Sequence, residues 1–348
     1  MEKVCVFCGK PPLNKSKEHI IPQWLLKLTG NENRTVSLGS NWATGKEIIF
    51  NFSSFTFPAC ERCNNAFAEI EGKVKLIMIK ILNDEAITTK EILLLLDWFD
   101  KVRISLWLGI QYLNRGVLQF DPKYYINARV GLKDRFLSIT NTYSKKQALR
   151  WTGANTMCFL MGPTVITLQV NNIIFVNGSS DFIVSEKLGF PYPLFVRPNP
   201  QSPATDFYIV PGKEKSEPTL FQSQLYQPHI IISQPIFSVS KGQFDQHYNS
   251  SFVREHSYDF EKGQGKLFIT EKGNTYVMEE DEEISFEDEN KSIKLQKFNR
   301  PTLELQIEVL QQPRFNLELL SPEQKRQHHE SLKAIIDYTK EQMRQFDY

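Results

Sequence analysis

Two Cys-X2-Cys pairs in the first 63 residues constrain the fold of this chain more than any other feature. Cys5 and Cys8 form the first pair, and Cys60 and Cys63 form the second. Thiolates two residues apart on a tight turn can bind one metal ion together, and two such pairs complete a tetrahedral site. The spacing therefore predicts one structural Zn²⁺ ion that joins two distant segments of the chain.

The number and setting of the cysteines argue against a disulfide framework. Five cysteines in 348 residues are too few for such a scaffold, and we expect no signal peptide, because Cys5 comes before any apolar h-region could form. Cys158, the fifth cysteine, lies in an apolar run that predicts a buried and unreactive thiol. These features favour a cytoplasmic protein, and no apolar run reaches the length needed to cross a bilayer.

The chain as a whole is nearly neutral, but its N-terminal part is basic. The formal net charge is +1, so overall charge alone does not predict binding to nucleic acid. Residues 1–80 contain eleven Lys and Arg against seven acidic residues, a local net charge of +4. Several of these bases flank the cysteine pairs, where a phosphate backbone would lie in a nucleic-acid site, although an ordinary solvated surface has the same composition.

The residues between and after the cysteine pairs predict two strands and a helix. A first strand over 17–21 ends at Pro22, and residues 47–57, rich in Ile, Phe and Thr, predict a second. After the second cysteine pair, apolar residues recur at helical spacing, at Phe67, Ile70, Val74, Ile77 and Ile81. This order places the Glu18-His19 pair at the first strand and two asparagines at the start of the helix.

Taken together, these motifs resemble the HNH endonuclease superfamily, which has the ββα-metal fold. The matching stretches are EHIIPQWL at residues 18–25, CERCNNAF at residues 60–67, and Glu71. They are closest to the zinc-knuckle branch, in which CxxCG is followed by EHIxPxWL, CxxCNN and a trailing Glu. The resemblance covers about residues 1–82 and extends weakly through the helix at Trp98–Trp107, but it says nothing about the rest of the chain.

The resemblance implies hydrolysis of phosphodiester bonds with one divalent cation. His19 matches the general base that takes a proton from the attacking water, a task that suits a neutral imidazole. Glu18 and Asn64 match ligands of the catalytic cation, and Asn65 competes with Asn64 for that role. Hard oxygen donors of this kind suit Mg²⁺ or Mn²⁺.

The asparagine that orients the general base in this superfamily has no clear counterpart here. Asn51 is the nearest candidate for this catalytic role, although it lies nine residues before Cys60. Other candidates are Ser53, Ser54 and Thr56. Glu71 could orient a neighbour or bind the cation, or it could form an i,i+4 ion pair with Lys75.

Helical signals follow the N-terminal module. Residues 88–91 form a capping box that predicts a long helix to about Leu113, and weaker helical patterns continue over 121–151. Ser321 and Pro322 suit the N-cap and first positions of a C-terminal helix.

Between these helical parts the signals are mostly those of strands, including a hairpin that turns at Asn171-Asn172. The sequence therefore predicts an α+β protein. Its four segments are a zinc-stabilised HNH-like module at 1–85, a helical segment at 86–153, a mostly β domain of unknown role at 154–320, and a C-terminal helix at 321–348.

Two functions are compatible with these features. The first is a metal-dependent HNH-like endonuclease that acts on nucleic acid, with double-stranded DNA as the expected substrate, in prokaryotic defence or in a mobile element. A homodimer and the absence of a membrane partner are part of that hypothesis. The second is a zinc-stabilised nucleic-acid-binding or scaffold protein whose Glu-His pair is inactive. Binding without cleavage would favour the second.

Overall fold

The computed structural model describes ten stretches of the chain. They are residues 4–41, 44–113, 134–142, 146–198, 205–215, 230–237, 250–271, 273–285, 294–311 and 321–346. With 43% helix and 28% strand, the α+β class predicted from the sequence is confirmed. In this part of the chain, every helix is too short or too polar to span a membrane.

The N-terminal module is built on two paired strands and the helix that follows them. Its elements in chain order are β1 (Lys15–His19), α1 (Gln23–Leu28), β2 (Thr35–Ser40), β3 (Glu47–Asn51), a 3₁₀ helix (Phe52–Ser54), β4 (Thr56–Cys60) and α2 (Glu61–Leu82). β1 pairs antiparallel with β4, and α2 begins directly after β4 and packs against both strands. The helical stripe predicted from the sequence is confirmed, and its residues Val74, Ile77 and Ile81 are buried.

The single strand predicted over residues 47–57 is wrong, because the chain turns within it. β3 pairs with β2 in a separate hairpin, whereas β4 pairs with β1. The 3₁₀ helix Phe52–Ser54 separates the two strands, and Asn51 caps it by accepting a hydrogen bond from the backbone N–H of Ser53. Such side-chain capping competes with the continuation of a strand.

A long buried helix connects the module to the rest of the chain. After β5 (Ile87–Thr88), α3 runs from Thr89 to Leu113. The predicted capping box is confirmed: Thr88 Oγ1 accepts from the N–H of Glu91 at 3.3 Å, and Glu91 Oε2 accepts from the N–H of Thr88 at 2.9 Å. Most of α3 is buried, because it lies between the module and a sheet.

That sheet has seven antiparallel strands. Twelve described strands follow β5 in the chain, and seven of them form this sheet. In chain order they are β6 (Asp134–Asn141), β7 (Leu149–Thr152), β8 (Val165–Val170), β9 (Ile173–Ser180), β10 (Tyr192–Pro198), β11 (Thr205–Val210), β12 (Ile230–Gln234), β13 (Ser257–Asp259), β14 (Gln264–Gly265), β15 (Phe268–Glu271), β16 (Asn274–Val277) and β17 (Glu283–Ile284). The strand order in the sheet is β16-β15-β12-β6-β9-β8-β7. The hairpin predicted at Asn171-Asn172 is confirmed as the turn between β8 and β9.

The helical pattern predicted over residues 121–151 is wrong where the structure describes it. Residues 134–141 form β6 and residues 149–151 belong to β7, while 121–133 and 143–145 lie outside the described residues. β6 is buried along its whole length, so it lacks the alternation of apolar and polar residues that marks a half-exposed strand. The sheet thus takes strands from both the 86–153 and the 154–320 segments, whose boundaries stay predictions.

The sheet is covered on both faces. Leu137 and Ile139 belong to the core on the α3 side, whereas their neighbour Phe136 belongs to the core on the opposite side, as the alternation of side chains along a strand requires. The remaining helices are Met157–Met161, Ile183–Leu188, Ser251–Glu255, Asn299–Gln311 and Pro322–Arg344. Ser321 is the N-cap of the last of these, as the sequence predicted, and it also forms a capping box with Gln324.

Candidate metal centre and adjacent Glu-His site

The two Cys-X2-Cys pairs come together in the structure. The sulfur atoms of Cys5, Cys8, Cys60 and Cys63 all lie within 4.8 Å of one another. A tetrahedral zinc site with Zn–S bonds of about 2.3 Å separates its sulfur atoms by about 3.8 Å, and the Cys8 and Cys60 sulfurs are 3.9 Å apart. The four cysteines could therefore bind a metal ion, in agreement with the zinc knuckles predicted from the sequence.

Backbone N–H groups point at the sulfur atoms from the surrounding loops. The N–H of Cys60 donates to Cys5 Sγ at 3.2 Å, and that of Leu13 donates to Cys60 Sγ at 3.4 Å. Gly9 closes the first turn with a φ of 71°, a left-handed conformation that glycine adopts without strain. These contacts stabilise thiolates, the form of cysteine that binds metals.

The thiols differ in their proton affinity. Burial raises the pKa of Cys5, but hydrogen bonds from the backbone of Cys60, Cys8 and Phe7 outweigh it and lower the pKa to about 7. Burial and the neighbouring thiols Cys8 and Cys5 raise the pKa of Cys63 to about 12. Four crowded thiols cannot all ionise without a cation between them, so loading with metal would release protons.

The Glu-His pair lies at the opposite end of β1 from the cysteines. In the β1–β4 pair, Lys15 faces Cys60, while His19 faces Thr56. Four residues of strand separate the two ends by roughly 13 Å. The cysteine cluster therefore joins the Cys5–Cys8 turn to the junction of β4 and α2, but it lies too far away to take part in chemistry at His19.

Glu18 is bound to a lysine of α3. Glu18 is 7% exposed, and its carboxylate forms an ion pair with Lys101, whose side chain is fully buried. The same ammonium group lies 2.9 Å from Glu71 Oε1 and donates to the carbonyl oxygen of His19 at 3.0 Å. Burial raises the pKa of Glu18 despite the charge of Lys101. Burial would lower the pKa of Lys101, but the charges of Glu71 and Glu18 raise it, so the ammonium stays charged.

The His19 imidazole is half-buried, and its two nitrogens have different surroundings. Nε2 lies 3.2 Å from the side-chain nitrogen of Gln23, which can only donate, so Nε2 accepts this bond and Nδ1 carries the proton. Nδ1 is buried and has no hydrogen-bond partner among the described residues. Burial lowers the pKa of His19, and the charges of Lys101 and Lys17 lower it further, against the opposing charge of Glu71. The imidazole is therefore neutral at pH 7.

The three predicted asparagines occupy different positions. Asn64 lies on the first turn of α2 and donates to Ser16 Oγ on β1 at 2.8 Å, on the strand face that also carries Glu18. Asn65 is exposed beside it. The side chain of Asn51 bonds to Ser53 and to the carbonyl of Asn33, and none of its hydrogen bonds reaches His19. The structure brings Asn64 to β1, but it does not bring Asn51 to the imidazole.

Lys101 is the residue of this site that the motifs missed. In the sequence it stands among Asp97, Asp100 and Arg103, which interrupt an otherwise apolar helix. A charge on a helix that is buried all round must find a partner, and this is the signal that could have singled it out. Glu71, for which an ion pair with Lys75 was one of the predicted alternatives, pairs with Lys101 instead.

Neither family models, nor curated proteins, nor solved structures show a match to this chain. The site is therefore interpreted from its own geometry and chemistry.

Proposed function

We propose that residues 4–82 form an HNH-like module that hydrolyses phosphodiester bonds in nucleic acid, with His19 as the general base. The observation that carries this proposal is the order of elements around the site. The paired strands β1 and β4 lead into α2, with the Glu18-His19 pair at one end of β1 and the four cysteines at the other. This is the strand, strand, helix arrangement that the resemblance to the superfamily implies.

The state of His19 supports a role as a base. Because its pKa lies below the ordinary value, the imidazole is unprotonated at neutral pH and can accept a proton. The accepting nitrogen, Nε2, is on the exposed side of the ring, where Gln23 holds it. A water molecule that replaced the Gln23 amide at Nε2 would be placed for deprotonation.

Positive charge for a phosphate group comes from β1 itself. Lys15, Lys17 and His19 alternate with Ser16 and Glu18 along the strand, so the two lysines share the face of His19. Both lysines are exposed, and Lys17 is near enough to lower the pKa of His19. A phosphate backbone that lay along this face would meet two ammonium groups before it reached the imidazole.

The predicted Mg²⁺ or Mn²⁺ ion does not fit Glu18 as this side chain is placed. The carboxylate and amide oxygens of Glu18, Asn64 and Asn65 are the right donors for such an ion. However, the carboxylate of Glu18 is already paired with a buried ammonium group, and Asn64 turns its amide nitrogen to Ser16. We therefore assign no step of the reaction to a divalent cation, and the catalytic metal stays a prediction.

The proposal is tested by cleavage assays on the full zinc-loaded chain. Supercoiled plasmid, single-stranded DNA and RNA would each be incubated with Mg²⁺, with Mn²⁺ and without added divalent cation. We expect His19→Ala to reduce cleavage by roughly 10²- to 10⁴-fold, the usual contribution of a general base. His328→Ala is the matched control, because His328 is exposed on the C-terminal helix. Equal cleavage by the two variants would remove His19 from the mechanism.

One observation favours a second function, that of a nucleic-acid-binding module without catalysis. The pairing of Glu18 and Glu71 with Lys101 neutralises part of the acidic charge that a catalytic cation would need. Under this alternative the exposed lysines of β1 still bind nucleic acid. This alternative would be established if the wild-type chain bound DNA without cutting it and the double variant Lys15→Met/Lys17→Met no longer bound DNA. A role in defence, double-stranded DNA as the substrate and a homodimer all stay predictions.

A further inference from the structure

We propose that the ammonium group of Lys101 is the resident cation of this site: it fills the position between Glu18 and Glu71 and keeps divalent metal ions from Glu18. The inference rests on the proposed function, because it names the cation that the HNH-like module uses. It replaces the metal ion implied by the sequence motif with a group that the chain itself supplies.

The coordination of the ammonium group is complete. A lysine side chain has three N–H donors and no acceptor. Lys101 meets three oxygens, from the side chains of Glu18 and Glu71 and from the backbone of His19. Its side chain is 0% exposed, so water does not compete for these donors. The three oxygens surround the nitrogen as ligands surround a small cation.

The position of the Lys101 ammonium group leaves little space for a second cation between Glu18 and Glu71. Lys101 is bound to both carboxylates, so an ion that bridged them would have to stand where the ammonium stands. With both carboxylates ionised, the two acidic groups and Lys101 together carry a charge of −1. A divalent ion added to them would lie beside the ammonium group of Lys101, and repulsion between the two cations would weaken its binding.

The charged residues of α3 nearest to Lys101 have partners elsewhere. Asp97 and Asp100 form ion pairs with Arg135 of β6, and Asp100 also pairs with Arg103. These groups lie on the side of α3 that faces the sheet, whereas Lys101 faces the module. The positive charge at Glu18 and Glu71 is therefore separate from the network that joins α3 to the sheet.

The test is a titration of the full zinc-loaded chain with Mn²⁺ alone, without nucleic acid. Calorimetry and electron paramagnetic resonance measure the binding of Mn²⁺ during the titration. We expect Lys101→Met to free the two carboxylates and to bind one Mn²⁺ ion at least tenfold more tightly than the wild type. The gain should disappear in Lys101→Met/Glu18→Gln. Lys73→Met, which removes an exposed lysine paired with Glu69 at 3.1 Å, should bind Mn²⁺ as the wild type does.

A second titration keeps the inference testable if Lys101→Met fails to fold. In the chain that retains Lys101, Glu18→Gln should leave Mn²⁺ binding unchanged, because Glu18 binds no metal there. Weaker Mn²⁺ binding by Glu18→Gln than by the wild type would overturn the inference, as would a folded Lys101→Met chain without a gain.

The titrations and the cleavage assays test the two proposals separately, so one proposal can be rejected while the other stands. If no substrate is cut but Lys101→Met gains a Mn²⁺ site, the resident cation is established and the proposed catalysis is rejected. If cleavage depends on His19 while the wild type binds Mn²⁺ through Glu18, the catalysis stands and the role of Lys101 is rejected.

Discussion

The ammonium group of Lys101 donates a hydrogen bond of 3.0 Å to the carbonyl oxygen of His19. This contact fixes the end of β1 to α3, which in turn packs against β6 and β9 of the large sheet. The backbone of the proposed base is thus held by a helix that follows residues 1–82, the part of the chain that carries the HNH-like motifs. We infer that the position of His19 depends on the folding of the sheet as well as on that of the N-terminal module.

The packing of α3 against the N-terminal module predicts that replacing glycine with alanine has opposite effects on stability at two positions. A Cβ atom at Gly109 of α3 would lie 2.8 Å from Ile20 Cδ1 and 2.8 Å from the ring of Phe55, whereas one at Gly72 of α2 would meet no atom within 4 Å. We expect Gly109→Ala to lower the free energy of unfolding by about 1–3 kcal/mol through overpacking. Gly72→Ala should raise it by up to about 1 kcal/mol, because alanine favours a helix. Urea denaturation measures both, and equal signs would contradict the packing.

The cysteine cluster predicts that loss of one ligand destabilises the whole module. Cys63→Ser should lose the bound zinc and much of the cooperative melting of residues 4–82, because zinc binding supplies on the order of 10 kcal/mol of coupled folding energy. Cys158→Ser serves as the control, since Cys158 is buried away from the cluster beside Thr339. Elemental analysis should find one zinc per chain in the wild type and in the control. A full zinc content in Cys63→Ser would refute a four-cysteine site.

The network between α3 and the sheet predicts a large cost for removing Arg103. Its guanidinium group bonds to Asp100, to Asn177 and to the carbonyl of Pro163 at 2.9 Å, and it is 2% exposed. We expect Arg103→Met to cost about 3–5 kcal/mol of unfolding free energy, since it leaves a buried carboxylate with fewer partners.

The matched control is Arg326→Met in the C-terminal helix. Arg326 is exposed and pairs with Glu323 at 2.9 Å, and exposed pairs of this kind contribute little to stability. The two variants can be compared by urea denaturation. A small effect at Arg103, similar to that at Arg326, would show that the buried network contributes little.

The surroundings of His19 predict a lowered pKa that depends on Lys17. Burial and the charges of Lys101 and Lys17 lower the pKa, so the His19 signals in an NMR titration should shift at a pH below about 6.5. Any cleavage that uses His19 as a base should rise with pH over the same range and then level off. Lys17→Met removes one positive charge and should move the pKa upward, whereas Lys75→Met on α2 should not.

The same shift has a consequence for stability. The pKa of His19 is lower in the folded state than in the unfolded chain, so protonation favours unfolding. The contribution of His19 to stability is complete above the unfolded pKa and is lost as the pH falls through the folded pKa. In His19→Gln this part of the pH dependence should be absent.

Local signals predicted much of this structure from the sequence. The cysteine spacing, the capping box of Thr88 and Glu91 and the turn at Asn171-Asn172 each act over a few residues, and each is found in the structure. The pairing of β1 with β4 was harder to assign, because a helix and a hairpin lie between them. Strand propensity alone predicted one strand over residues 47–57 and did not predict the turn at Asn51.

The features that the sequence did not predict depend on partners far along the chain. The sequence pattern predicted a helix where β6 lies, because this strand is covered on both faces and lacks a strand's alternation of apolar and polar residues. Its buried polar residues bond to distant parts of the chain, as Arg135 does to Gln234 of β12. The charge of Lys101 on an apolar helix indicates that it needs a partner, but its partners Glu18 and Glu71 precede it by 83 and 30 residues. No local pattern encodes such contacts.

The distance along the chain between the two cysteine pairs has a consequence for biosynthesis. Cys5 and Cys60 are separated by 55 residues. At translation rates of 5–20 residues per second, the ribosome adds the second pair roughly 3–11 s after the first. During that interval the first two thiols lack their partners, so a four-cysteine site can form only after Cys63 has been synthesised.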